Sequence, residues 1–253
     1  MVRVVKTLRL AILALAVLFA ANVGEPASAQ PVDLQLVLAV DTSGSVSEAR
    51  FELQKQGYVA AFRSPLLLKA IGSGTRQSIG VTMVQWTGPA LQIQVVPWML
   101  IRDEASMLAF ADAIARAPRQ LFGGGTSISG AIDHAMTLFP ATEIRGARRV
   151  IDVSGDGANN RGRPATLARD EAVNAGATIN GLPILALEPG LDLYYRDNVI
   201  GGPGAFMVPA ESYETFAEAV LKKLIVEIAG IELPSDTALA AAHGRSGSSE
   251  ARD

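Results

Sequence analysis

Apolar and polar positions recur along the chain with two different periods, and the switches between them outline its elements. The first is Leu34 to Val40, where only Gln35 interrupts a run of Leu, Val and Ala. A segment apolar at nearly every position is predicted to be a parallel strand buried on both faces. It stops abruptly at Asp41-Thr42-Ser43-Gly44-Ser45. Phe51, Tyr58, Val59 and Phe62 then take up helical spacing, and Ser45 or Ser47 can cap that helix. Pro65 breaks it, and Leu66 to Ile71 adds one more turn before a Gly72-Ser73-Gly74 loop.

Ile79 to Trp86 is a second strand, Gly88-Pro89 a turn, and Leu91 to Val96 alternates polar with apolar residues. Two such runs across a tight turn make a hairpin, which puts one antiparallel strand at the edge of the sheet. Met107, Phe110, Ala111 and Ile114 mark a helix between Asp103 and Ala117. After Gly123-Gly124-Gly125-Thr126-Ser127, a further helix runs through Phe139. Arg148 to Val153 reads as a strand and Ser154 to Asn160 as a polar loop, with Asn159 and Asn160 as turn formers. A helix from Ala165 to Ala175 and a short strand from Ile184 to Leu187 follow. Gly190 to Gly204 is expected to be irregular, Ala205 to Val208 a short strand, and Glu211 to Ala229 a final amphipathic helix. Strands alternating with helices predict an α/β fold: a doubly wound, mostly parallel sheet with one antiparallel edge strand and helices on both faces.

In such a sheet, ligands bind where loops leave the carboxyl ends of the strands. Three polar loops fall at strand ends or helix starts. The first brings Asp41, Ser43 and Ser45, the second Thr126, and the third Asp156. Carboxylates and hydroxyls without histidine or cysteine are hard oxygen donors suited to a divalent cation. Magnesium is the expected ion, with manganese and calcium as alternatives. Two carboxylates would nearly neutralise it, leaving room for a ligand carboxylate in its shell. The competing reading makes Ser43, Ser45 and Thr126 plain helix caps, and Asp152, inside a strand, a structural carboxylate.

Composition narrows the setting. The chain has 253 residues and no cysteine, which excludes disulfides and thiol catalysis. Arg3, Lys6 and Arg9, an apolar stretch from Leu10 to Ala21, and Ala27-Ser28-Ala29 have the layout of a secretory signal peptide spanning residues 1–29. The stretch is shorter than the roughly 20 residues needed to cross a bilayer, so no stable span is expected after cleavage. Cleavage would move the formal charge from −3 to −5. With no basic patch, nucleic acid is not an expected partner. Residues 32–231 form the expected domain, and residues 232–253, poor in large apolar side chains, an expected disordered tail. The protein is therefore expected in a bacterial periplasm or secreted.

Asp41-x-Ser43-x-Ser45, then Gly125-Thr126, then Asp156-Gly157, on alternating strands and helices, closely resembles the von Willebrand factor type A (vWA) domain. The resemblance covers roughly Val32 to Ile231 and implies a Rossmann-like vWA fold. It also implies that the five positions form a metal-ion-dependent adhesion site (MIDAS). The chain further resembles a bacterial group of exported, single-domain members of unestablished function. One departure stands out. The usual third loop has Thr or Ser directly before Asp-Gly, whereas here Gly155 separates Ser154 from Asp156.

A serine hydrolase needs a base beside its nucleophile, and the only histidine in the expected domain is His134. No Gly-x-Ser-x-Gly elbow or P-loop occurs. The expected function is thus a non-enzymatic binding module, whose cation captures an Asp or Glu of a protein partner. The alternative is a metal-dependent hydrolase or phosphatase using the same carboxylates. Tyr194, Tyr195 and Arg196 are the expected partner-binding residues, because Tyr and Arg are favoured at interface hot spots.

Overall fold

The computed structural model describes residues 29–230. The expected signal peptide, apart from Ala29, and the expected tail lie outside the described residues. Five strands form one sheet: β1 (Gln30–Asp41), β2 (Ile79–Trp86), β3 (Gln92–Ile101), β4 (Ile144–Gly155) and β5 (Thr178–Pro183), in the order β3-β2-β1-β4-β5. β1 pairs with β2 in parallel, as does β4 with β5, whereas β3 is antiparallel to β2. Gly146 lies against Gln35, and Gly155 against Asp41, so β4 follows β1 in the same direction. The hairpin expected at Gly88-Pro89 thus forms the antiparallel edge, where Pro97 of β3 is tolerated.

Side-chain alternation along β1 builds three layers. Leu34, Leu36, Leu38 and Val40 face one core, and Val37 and Ala39 face the other. The first core is covered by α1 (Glu48–Ala61), α2 (Pro65–Gly72), α3 (Glu104–Arg116) and α7 (Phe216–Ala229). The second is covered by α4 (Ile128–Leu138), α5 (Ala165–Asn174) and α6 (Leu191–Asn198). Gly57 lets α1 and α7 approach closely, because a Cβ there would lie 2.7 Å from the Phe216 ring. Tyr58 meets that ring edge-on at 5.4 Å.

The later part of the chain departs from expectation in three places. The strand expected at Ile184 to Leu187 forms instead at Thr178–Pro183. Asn180, Gly181 and Pro183 obscure its pattern, but Asn180 is satisfied there by bonds to Glu227 (2.8 Å) and the Phe206 amide (2.9 Å). Gly190 to Gly204 contains helix α6, which starts after Gly190 in the left-handed region with no side-chain cap. The last helix begins at Phe216, and the residues before it run beside β5 through bridges at Met207 and Ala210.

Candidate metal centre

β1 and β4 are neighbours in the middle of the sheet, and their carboxyl ends bring Asp41 and Asp156 together. β1 stays buried to its last residue, so Asp41 is fully enclosed. Its Oδ1 accepts the Ser43 amide at 2.6 Å, and its main-chain carbonyl accepts Gln54 Nε2 of α1 at 3.2 Å. Oδ2 is buried and has no hydrogen-bond partner among the described residues. Across the site, Asp156 Oδ1 accepts the Ser45 hydroxyl at 2.6 Å, and Oδ2 accepts the Tyr213 hydroxyl at 2.7 Å. Ser43 Oγ lies 3.2 Å from Ser45 Oγ, so the serines link the first loop to the third.

Thr126 joins from the second loop. Its N–H donates to Asn160 Oδ1 (2.9 Å), and its carbonyl accepts the Asn160 and Arg161 amides (2.9 and 3.1 Å). A Cβ at Gly157 would lie 3.9 Å from Thr126 Oγ1. The turn into Thr126 needs glycine, since Gly124 and Gly125 have φ of 108° and 85°. Helix capping falls to neighbouring residues. Ser47 caps α1 by accepting the Arg50 amide (3.3 Å), and Ser127 caps α4 by accepting the Gly130 amide (3.1 Å). None of the hydroxyls of Ser43, Ser45 and Thr126 is thus engaged in capping these two helices.

The electrostatics of this edge are unbalanced. Burial first, and then the Asp156 charge, push the Asp41 carboxyl up to about 7 against the opposing hydrogen bonds from Ser43. Burial and the Asp156 charge also push the Tyr213 phenol up, so it stays protonated and donates. The nearby guanidinium groups grip main chain rather than the carboxylates. Arg119 donates to the carbonyls of Thr42 (3.0 Å) and Ser43 (3.2 Å), and Arg50 to that of Ser45 (2.8 Å). Among the described residues, no three His, Cys, Asp or Glu side chains gather as a metal cluster. A cation here would have to use carboxylates and hydroxyls together. The residues fit one, because a buried carboxylate oxygen lacks a partner and every donor present is a hard oxygen.

The expected partner surface is corrected. Residues 194–196 lie on helix α6, where consecutive side chains point about 100° apart and share no face. Tyr195 is completely buried and not available to a partner. Tyr194 is half-buried, and its hydroxyl accepts the Asn159 amide at 3.3 Å. Arg196 is exposed and turned onto Asp197 at 2.7 Å. The aromatic group that does stand out at the site's rim is Phe122, 64% exposed and 4.9 Å from the Arg119 guanidinium.

Asn160, expected as a turn former, also braces Thr126; Tyr213, Arg119 and Glu188, whose Oε2 accepts the Ala158 amide at 2.8 Å, were not expected at the site. The Asn-Asn pair after Asp-Gly hinted at loop bracing. Nothing in the sequence marked Tyr213, which lies 57 residues from Asp156.

The order of strands, the two helical layers and the three loops at one sheet edge define a vWA-type fold, and comparison with solved structures agrees. The chain is similar to a von Willebrand factor type A protein from Catenulispora acidiphila, at 18% identity and TM-score 0.52, covering 79% of this chain and 43% of that one. It is also similar to the pilus adhesin SpaC from Lactobacillus rhamnosus GG in its open conformation, at 17% and 0.56, covering 81% and 31%. A third similar structure is proximal thread matrix protein 1 from the mussel byssus with a zinc-occupied MIDAS motif, at 16% and 0.57, covering 80% and 50%. The chain spans half or less of the length of each of these. No curated protein matches it. The chain belongs to the family described as "protein of unknown function (DUF1194)", whose family model matches residues 31–232.

Proposed function

We propose that this protein is an exported binding module. It holds a divalent cation with Asp41, Ser43, Ser45, Thr126 and Asp156, and uses it to capture an Asp or Glu carboxylate of a partner protein. The observation that carries this reading is the buried Asp41 oxygen, which among the described residues has no hydrogen-bond partner, beside a second carboxylate and with no cationic side chain of those residues bound to either. A buried carboxylate is tolerated when it is paired or coordinates a metal. The zinc in the mussel protein supports a divalent ion in general. Magnesium is proposed here because carboxylates, hydroxyls and retained waters suit it, with manganese and calcium as substitutes. Among the described residues, no histidine is hydrogen-bonded to the site hydroxyls, which counts against a serine–histidine hydrolase only.

Export rests on the signal-peptide pattern of residues 1–29. It would leave a periplasmic or secreted chain with Gln30 as its first residue, its domain at 32–231 and the tail at 232–253. Among the described residues, no helix is long and apolar enough to cross a membrane.

The test is titration calorimetry of the purified chain with magnesium or manganese, beside Asp41→Asn. Saturable binding lost in the variant supports the reading, and no binding to wild type overturns it. A parallel phosphoester assay separates the hydrolase alternative, which demands turnover abolished by the same variant.

A further inference from the structure

Two buried polar atoms lack partners at the same place, and they arrive from different elements. Asp41 Oδ2 ends β1 and Tyr195 Oη projects from α6; both residues are fully enclosed, and among the described residues neither atom has a hydrogen bond. Gly155 stands between them, where a Cβ would lie 3.0 Å from each oxygen. The tyrosine ring is held by a second glycine. A Cβ at Gly181 of β5 would lie 2.7 Å from Tyr195 Cδ1, so the sheet is hollowed to admit the ring. Two glycines on adjacent strands thus accommodate one side chain, the first at its hydroxyl and the second at its ring.

The ring packs in the second core, but packing does not call for its hydroxyl. Phenylalanine would fill the same volume without enclosing a hydroxyl, and burying a polar group without a partner is costly. A phenol oxygen and a carboxylate oxygen that each lie 3.0 Å from the place of a Gly155 Cβ put Tyr195 in the position of an outer partner of a metal ligand. Such partners orient the ligand and raise its affinity for the ion.

Resting on the metal reading above, we infer that Tyr195 is a positioning residue of the cation site. Its hydroxyl orients the Asp41 carboxylate toward the ion, and residue 155 is glycine so that these two oxygens can share one gap. The role expected of Tyr195 from sequence, direct contact with a partner, is replaced by one beneath the ion.

The experiment is calorimetric titration of purified full chains with magnesium or manganese alone, paired with melting curves in chelator. Tyr195→Phe is expected to weaken cation affinity about tenfold, the lower end of the range for such partners. In chelator it should melt no lower than wild type, because it removes an unpaired buried hydroxyl. Gly155→Ala, which keeps the tyrosine but fills the gap, should weaken binding as well. In the Tyr195→Phe background, Gly155→Ser returns a hydroxyl to the vacated gap, and recovered affinity would assign the effect to the hydroxyl. Wild-type affinity in Tyr195→Phe or in Gly155→Ala overturns the inference while leaving the metal site standing. A Tyr195→Phe loss matched by an equal loss of melting temperature in chelator also overturns it, since the residue would then be core packing. If wild type binds neither ion, the metal reading falls and this inference with it.

Discussion

Asp41 and Asp152 are the same residue type, on adjacent central strands, with the same complete burial, and they differ in what answers their charge. Asp152 has a resident cation. Lys223 of α7, also fully buried, brings Nζ to 2.6 Å from Oδ1, and a second carboxylate, Glu227 Oε2, lies 3.3 Å from that nitrogen. Burial pushes the Asp152 carboxyl up, and Lys223 pulls it back. Asp41 has no such partner among the described residues, and its charged neighbour is another carboxylate, Asp156. A covalently attached ammonium makes the first site permanent structure. Without one, the second site is suited to an ion that can come and go.

The contrast is most sharply tested by removing the resident cation. Lys223→Met should cost about 3–5 kcal/mol in chemical denaturation, because it leaves buried carboxylates uncompensated. Added magnesium should not restore it, and a cation-dependent recovery would erase the distinction between the two sites.

The next largest effect concerns pH in chelator. The Asp41 carboxyl stands at about 7 in the folded chain against an ordinary 3.8, so the folded state keeps its proton longer than the unfolded state. Stability should therefore fall as pH rises from about 4 through 7, by up to about 4 kcal/mol from this group. Asp41→Asn should flatten that part of the curve, while Asp152 keeps its own contribution. Saturating cation should reverse the trend, since the ion requires the deprotonated carboxylate. A pH curve identical in wild type and Asp41→Asn would refute the assignment.

Cation binding at neutral pH comes third. Magnesium at a hundred times its Kd should stabilise wild type by about 2.7 kcal/mol and leave Asp41→Asn unaffected. Comparable stabilisation of both proteins would place the ion elsewhere.

The smallest effect sharpens the boundary between the two sites. Tyr58 donates to Ser154 Oγ at 3.3 Å, and Ser154 lies in β4 two residues past Asp152. Tyr58→Phe should cost about 1 kcal/mol at every cation concentration without changing cation affinity. A selective change in affinity would show that the two buried networks communicate.

Reading a residue from its neighbours worked where the neighbours decide its fate. The first strand was legible because seven consecutive residues, Leu34 to Val40, are buried and only one of them is polar. The Gly88-Pro89 hairpin was legible because turn chemistry is local. It failed where a distant segment supplies the missing partner. β5 was misplaced because its Asn180 needs Glu227 of α7 to be acceptable in a buried strand. Helix α6 was missed because it has a left-handed glycine at its start and no side-chain cap to announce it.

The sequence by itself determined the α/β order and the antiparallel edge, and it marked the five proposed oxygen donors in their three loops, since each depends on residues within one turn or strand. Only the tertiary structure decided what surrounds those donors. It clamps Asp156 between Ser45 and Tyr213, withdraws Tyr195 from the surface to the gap at Gly155, and gives Asp152 a lysine that Asp41 lacks. Each of these pairings joins residues far apart in the chain, and burial turns a mismatch there into a large energy, which no local pattern records.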